Sequence, residues 1–63
     1  MQKGDRVISN DGENDFIGDF SHVEDNLLYF TVDDDQYFAP LASVSLCGHI
    51  DGHDVWKATT YEG

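Results

Sequence analysis

The sequence predicts an all-β protein. We expect a single small domain over residues 1–63, folded as a strongly bent sheet or barrel of five to six short strands with one short helical turn. The chain has 63 residues, which suffices for one domain with a thin core. Aromatic residues make up 13% of it, more than disordered acidic chains contain. Short apolar runs alternate with turn residues, and no long stretch sustains a helical period.

Six short stretches have the composition of strands. They are residues 6–9, 16–23, 27–32, 36–39, 45–50 and 53–59. The first ends at Asn10-Asp11-Gly12, a strong turn signal. The second contains Gly18, which predicts a bulge or a bend. The third, Leu-Leu-Tyr-Phe-Thr-Val, has the highest strand propensity because it is rich in aromatic and β-branched residues. Three Asp then turn the chain into the fourth.

The remaining signals are a breaker, a corner and a hairpin. Pro40 lacks the amide hydrogen that a long central strand would need there. Residues 41–44 are predicted to form one helical or 3₁₀ turn, and Asp51-Gly52 predicts a two-residue type I′ turn. The predicted core consists of the apolar residues of these elements. They are Val7, Ile8, Ile17, Phe20, Val23, Leu28, Phe30, Val32, Phe38, Leu41, Val44, Leu46, Val55 and part of Trp56.

Charge and composition exclude several classes of function. Thirteen acidic residues against three basic ones give a formal net charge of −10, which repels a phosphate backbone and excludes direct nucleic-acid binding. No apolar run is long enough to span a membrane, and the first residues lack the apolar segment of a signal peptide. The single cysteine, Cys47, cannot form an internal disulfide. We therefore expect a cytoplasmic protein without a cofactor.

Five short motifs follow one another along the chain. They are Ser9 with Asp11-Gly12-Glu13, then Ile17-Gly18-Asp19-Phe20, His22-Val23-Glu24, Tyr37-Phe38-Ala39-Pro40-Leu41 and Asp51-Gly52. Taken in this order, they resemble the PRC-barrel group, especially its short stand-alone bacterial members. The resemblance implies an SH3-like β-barrel that serves as an adaptor, without catalysis and without catalytic residues. The chain departs from the family pattern at Asn14-Asp15-Phe16, which looks like an insertion, and at Cys47-Gly48-His49, which lengthens the last hairpin.

Residues 47–54 hold the only cluster of metal-type ligands in the sequence. With a two-residue turn, His49 lies across from Asp54, and Cys47 lies on the same face, buried under Trp56. His53 then falls on the other face. A zinc site needs three or four ligands converging from one side, so we predict no metal site. A Cys–His nucleophile is not expected either, because nothing nearby lowers the pKa of the thiol. The three Asp at 33–35 lack calcium-loop spacing and are predicted to form a solvated turn.

The strongest functional feature is the distribution of charge. Between Arg6 and Lys57 the chain has no Lys or Arg, yet it has eleven Asp and Glu. Alternate residues of a strand lie about 6.6–6.8 Å apart, close to two base-pair rises of a nucleic acid. The predicted partner-binding residues form a main contact row and a second patch. The row is Asp11, Glu13, Asp15, Asp19, Glu24 and Asp25, and the patch is Asp33, Asp34 and Asp35.

Three hypotheses explain this charge. The first, which we favour, is a non-enzymatic inhibitor of the anti-CRISPR or anti-restriction type, from a phage or mobile element, whose carboxylates mimic phosphates. Its partner is a basic nucleic-acid-binding protein or complex, and the chain is a monomer or a weak dimer. The second is a PRC-type adaptor that binds a protein through an aromatic patch at Tyr29, Tyr37, Trp56 or Tyr61. The third is an acidic surface adapted to high salt. Mimicry predicts carboxylates concentrated on one face, and salt adaptation predicts an even coat.

Overall fold

The structure, a computed structural model, describes residues 1–10 and 13–59. It contains six strands and one 3₁₀ turn, as the sequence predicts. The elements are β1 (Arg6–Asn10), β2 (Asp15–Glu24), β3 (Leu27–Val32), β4 (Asp35–Pro40), the 3₁₀ turn (Leu41–Ser43), β5 (Ser45–Ile50) and β6 (His53–Thr59). The strands agree with their predicted positions to within about one residue at each end.

The strands form one mixed sheet in the order β4-β3-β2-β1-β6-β5. Strands β1 to β4 make an antiparallel meander, β6 pairs parallel with β1, and β5 pairs antiparallel with β6. The closed barrel and the strong bend that the sequence predicts are not formed, because β4 and β5 remain the edges of an open sheet. Neither edge strand is well suited to pair with a further strand, because β4 ends in Pro40, which has no amide hydrogen, and β5 has a bulge at Cys47.

Three hairpins of the sheet have the same kind of turn. Both central residues have positive φ in Asp25-Asn26, in Asp33-Asp34 and in Asp51-Gly52, as a type I′ turn requires. The twist of this turn matches the right-handed twist of the strands it joins. Asp, Asn and Gly tolerate positive φ better than other residues do. Several of the carboxylates are therefore also turn formers.

The core occupies one face of the sheet, here called the core face. Its buried residues are Val7, Leu28, Phe30, Val32, Ala39 and Ala58. Five half-buried residues pack against them: Phe16, Phe20, Tyr37, Leu41 and Val44. Residues of β4 and β6 approach each other across this core, although three strands separate them in the sheet order. The core therefore draws on both halves of the sheet.

Several residues of the predicted core lie outside this cluster, among them Ile8 and Phe38, which are half-buried. Ile17, Val23 and Leu46 are 60%, 44% and 58% exposed. Ile17 lies between Phe16 and Gly18, which point toward the core, so the strand alternation directs it to the opposite face, here called the outward face. Val55 is buried, but it lies beside Arg6 on that outward face. Apolar character alone did not identify the buried face.

The bulge predicted at Gly18 lies elsewhere in β2. The register shifts between Phe20 and His22, which places the extra residue at Ser21. Gly18 belongs to a regular ladder opposite Val7. A side chain at Gly18 would place its Cβ 2.6 Å from the Thr31 carbonyl oxygen, so this glycine permits close packing rather than a bend.

Candidate functional site

Two acidic segments meet at one end of the sheet. Because β1 to β4 form an antiparallel meander, the β1–β2 connection and the β3–β4 turn leave the sheet in the same direction. Neighbouring strands are about 4.8 Å apart, so the centres of these two connections are about 10 Å apart. The carboxylates there, here called the acidic end, are all exposed. They are Glu13, Asp15, Asp33, Asp34 and Asp35.

The five described residues of the predicted contact row occupy three separate places. Glu13 and Asp15 belong to the acidic end, together with the predicted second patch. Asp19 lies in the middle of β2 on the outward face, across from Arg6. Glu24 and Asp25 lie at the opposite end, because β2 is ten residues and about 30 Å long. Asp11 is outside the described residues.

Charge is distributed unevenly across the sheet. Residues 15–40, which form β2, β3 and β4 with their turns, contain seven carboxylates and no Lys or Arg. The cations lie on the other side: Arg6 in β1, Lys57 in β6 and Lys3 just before β1. The carboxylates of the described residues therefore form neither an even coat nor the single acidic face that mimicry predicts, and they are concentrated in the β2–β4 half of the sheet.

Ring stacking holds the two acidic segments together. The rings of Phe16 and Tyr37 have centroids 6.3 Å apart and planes 18° apart. Phe16 directly follows Asp15, and Tyr37 follows Asp35 by two residues. Asn10 also donates a side-chain hydrogen bond to the Asp15 carboxylate. The ring contact links β2 to β4 at this end, and the hydrogen bond links β1 to β2.

The last hairpin confirms part of its predicted pairing. His49 lies across from Asp54, with 2.9 Å between Nδ1 and Oδ1, and His53 pairs with Ile50. The predicted burial of Cys47 under Trp56 is wrong, because the bulge places Leu46 across from Trp56 and leaves Cys47 exposed. Within residues 1–10 and 13–59, no three His, Cys, Asp or Glu side chains are grouped as metal ligands.

The described aromatic residues of the adaptor hypothesis, Tyr29, Tyr37 and Trp56, each contact other side chains of the same chain. Tyr29 stacks on His22 with ring centroids 4.5 Å apart, and Tyr37 stacks on Phe30 at 5.9 Å. Trp56 donates its Nε1 hydrogen to a buried carboxylate. Tyr61 lies outside the described residues. An open groove of about 590 Å³ does lie beside Trp56. Its lining comprises Met1, Phe20, Ser21, His22, Val23, Leu41 and Trp56.

Sequence reasoning missed one important acidic residue, Asp5. It is 1% exposed, and its carboxylate accepts hydrogen bonds from Gln2 N (3.0 Å), Trp56 Nε1 (3.1 Å) and Asp54 N (3.2 Å). The Gln2 amide is the main cause that lowers the pKa of Asp5, and Trp56, Asp54 and the positive N-terminus add to it, while burial opposes them. No local signal identifies this role, since two of the donors lie in β6.

Comparisons of the chain with protein-family profiles, with curated proteins and with solved structures find no match. The resemblance to the PRC-barrel group therefore stays a prediction. In the part of the chain that the structure describes, none of the helical segments has the length and apolarity needed to cross a membrane.

Proposed function

We propose that the protein is a non-enzymatic inhibitor whose acidic end takes the place of phosphates in the basic groove of a nucleic-acid-handling protein. One observation carries this proposal: two acidic segments, distant in sequence, meet at one end of a sheet whose β2–β4 half has no Lys or Arg. Cytoplasmic effectors of the CRISPR or restriction type, which hold DNA through Lys and Arg, are the proposed partners.

Physical chemistry favours such a pairing. Carboxylates accept short, charge-assisted hydrogen bonds from Arg and Lys, as phosphate oxygens do. A field concentrated at one end steers the encounter with a basic groove and makes the association rate fall with salt. The type I′ turn at Asp33-Asp34 and the stacked rings of Phe16 and Tyr37 order the acidic end before binding. This order reduces the entropy lost on association.

Displacement of DNA tests the proposal. A fluorescent duplex is bound to each of a panel of purified CRISPR nucleases and restriction enzymes, and its anisotropy is followed as the protein is added. We expect displacement from at least one of them, weakening steeply as salt rises. The triple variant Asp33→Asn, Asp34→Asn, Asp35→Asn should need at least about tenfold more protein, since the loss of even one charged hydrogen bond, worth about 1.5–3 kcal/mol, corresponds to a tenfold or larger loss of affinity.

A matched control is available at the other end of the sheet. The triple variant Glu24→Gln, Asp25→Asn, Asp51→Asn removes the same number of charges from the same kind of turn. It should displace DNA nearly as well as the wild type, because net charge alone would affect both triples equally. Equal losses in the two triples, or no displacement from any enzyme of the panel, would refute the acidic end as the binding surface.

A second candidate function is the PRC-type adaptor, which the open groove beside Trp56 favours. This groove has an apolar lining that includes the exposed Val23. An adaptor would bind its protein partner with little dependence on salt, would tolerate the triple change at residues 33–35, and would lose affinity on Val23→Ser. The inhibitor would show the reverse on all three counts.

A further inference from the structure

The outward face of the sheet carries an apolar surface of its own. Ile8, Ile17, Ile50 and Val55 line a cavity of about 360 Å³ there. Ile17 and Ile50 are 60% and 59% exposed. A sheet normally covers its apolar faces with a second layer, and exposed aliphatic clusters mark contact surfaces. Val55 is buried on this face, whereas Ile17 and Ile50 have no side-chain layer covering them in the described chain.

Opposite charges border this apolar surface on different strands. Asp15 and Asp19 project from β2 on either side of Ile17, and Arg6 and Lys57 project from β1 and β6. Within the described residues, no ion pair shorter than 4.0 Å joins Arg6, Lys57 or Asp19 to a carboxylate or a cation. On this face, Asp15 and Asp19 of β2 and Lys57 of β6 therefore lie on opposite sides of β1. Asp51, His53 and Asp54 line the far side of the same cavity.

We propose that a second copy of this chain covers the outward face and forms a two-fold dimer. A two-fold interface requires a surface that is complementary to itself. With the axis along β1, β2 of one copy lies over β6 of the other, and the two sheets pack about 10 Å apart. Asp15 and Asp19 of each copy then face the strand that carries Lys57 of the other copy, while β1 with Arg6 lies at the axis. Ile17 is covered by β6 of the second copy, and Ile50, on β5, lies over β3 of that copy.

The strand register supports this pairing. Lys57 is level with Ile8, and Ile8 is level with Ile17. Lys57 of the second copy therefore lies over Ile17, about 6.7 Å along the strand from both Asp15 and Asp19. A lysine side chain extends far enough to reach either carboxylate. Lys57 of the second copy can therefore cover Ile17 with its aliphatic stem and pair with Asp15 or Asp19 through its ammonium group, without a change in either backbone.

The arrangement also limits repulsion between two chains of net charge −10. The β3–β4 turn is about two and a half strands, or 12 Å, from β1, so the two β3–β4 turns lie more than 20 Å apart on opposite sides of the axis. Charges more than about 8 Å apart are largely screened at physiological salt. The face is small, so the dimer is expected to be weak and to form at high protein concentration.

Sedimentation equilibrium with the wild-type chain tests the dimer. Protein is examined up to about 1 mM in about 0.15 M NaCl, with a reductant that prevents disulfides through the exposed Cys47. The average mass should rise from 7.1 kDa toward twice that value. Ile17→Ser and Ile50→Ser should each raise the dissociation constant about tenfold. Leu46→Ser is the matched control: it is equally exposed but pairs with Trp56 on the other face.

A charge exchange provides the second measurement. Lys57→Glu should weaken the dimer several-fold, and adding Asp19→Lys to the same chain should restore it, since the exchange re-forms the pair across the interface. A wild-type chain that stays monomeric at the highest concentration overturns the proposal. So does a dimer that Leu46→Ser weakens and Ile17→Ser does not, because it would form through another surface. Far-ultraviolet circular dichroism checks that each variant is folded. None of these outcomes depends on the inhibitor proposal.

Discussion

At the scale of single residues, the acidic side chains of this protein have two different roles. Asp5 is buried and holds the N-terminal turn, the start of β6 and the Trp56 indole through hydrogen bonds from three donors. Its main chain adds two more links, to Gln2 and to Phe20. Asp33, Asp34 and Asp35 are instead exposed. A count of carboxylates in the sequence therefore does not distinguish those that stabilise the fold from those that are exposed and available to a partner.

The prediction for Asp5 concerns stability and its dependence on pH. Asp5→Asn should lower the urea midpoint at pH 7, because the new amide group faces N–H donors. The folded pKa of Asp5 is below the ordinary value of 3.8, so its contribution is complete above pH 3.8 and is lost as the pH falls through the lower, folded pKa. The difference between wild type and variant should therefore shrink in acid.

Exposed Asp51 supplies the control for Asp5. Asp51→Asn removes one charge at a positive-φ turn position that Asn accepts, so its urea midpoint at pH 7 should be close to that of the wild type. If Asp5→Asn behaves in the same way, the buried carboxylate is not the link that the hydrogen bonds indicate.

At the scale of elements, the long strand β2 shows how packing overrides local signals. Gly18 predicted a bend in β2, but the extra residue of the strand lies at Ser21. The backbone at Gly18 instead passes close to the side chains of Phe30 and Val32. The reason is steric. The Cβ of any other residue at position 18 would lie 2.6 Å from the Thr31 carbonyl oxygen, and the Thr31 backbone cannot retreat without breaking the β2–β3 ladder.

Alanine at two strand glycines provides a direct test. Gly18→Ala should destabilise the fold by about 1–3 kcal/mol, the usual range for overpacking. Gly48→Ala should change stability by less than about 0.5 kcal/mol, because the nearest heavy atom to its Cβ is 3.9 Å away, at Val55. Thermal and urea unfolding measure both. Similar stabilities for the two variants would mean that the close approach at Gly18 is relieved by a small shift of the strand.

At the scale of the whole molecule, the sheet sorts the charges that the sequence interleaves. Seven carboxylates occupy the β2–β4 half, while Arg6 and Lys57 occupy β1 and β6. The result is an acidic end, which we propose as the inhibitory surface, and an outward face of mixed charge, which we propose as the dimer contact. Concentrating like charges at one end also has a cost in stability.

That cost predicts a dependence of thermal stability on salt. Raising NaCl from about 0.01 M to 0.1 M shortens the Debye length from about 30 Å to 10 Å and screens repulsion within the acidic end. The melting temperature of dilute wild-type protein should rise, by roughly 4–8 °C for each kcal/mol recovered. The salt-dependent rise in melting temperature should be smaller in the triple variant at residues 33–35 than in the control triple at Glu24, Asp25 and Asp51. Equal salt responses in both would show that the repulsion is spread over the whole chain.

Residue propensity and turn chemistry act over a few neighbouring residues, so the amino-acid sequence alone predicts the strands, the 3₁₀ turn and the type I′ turn at Asp51-Gly52. Three features required the tertiary structure: the outward position of Ile17, the open sheet and the placement of the carboxylates. Asp15 and Asp35 lie at the same end of the sheet, and Glu24 lies at the opposite end. These outcomes depend on strand order and register, which long-range pairing sets and local patterns do not encode. For the same reason, the sequence did not predict the structural role of Asp5. Its hydrogen-bond donors, Asp54 and Trp56, come within reach of its carboxylate only when β6 pairs with β1.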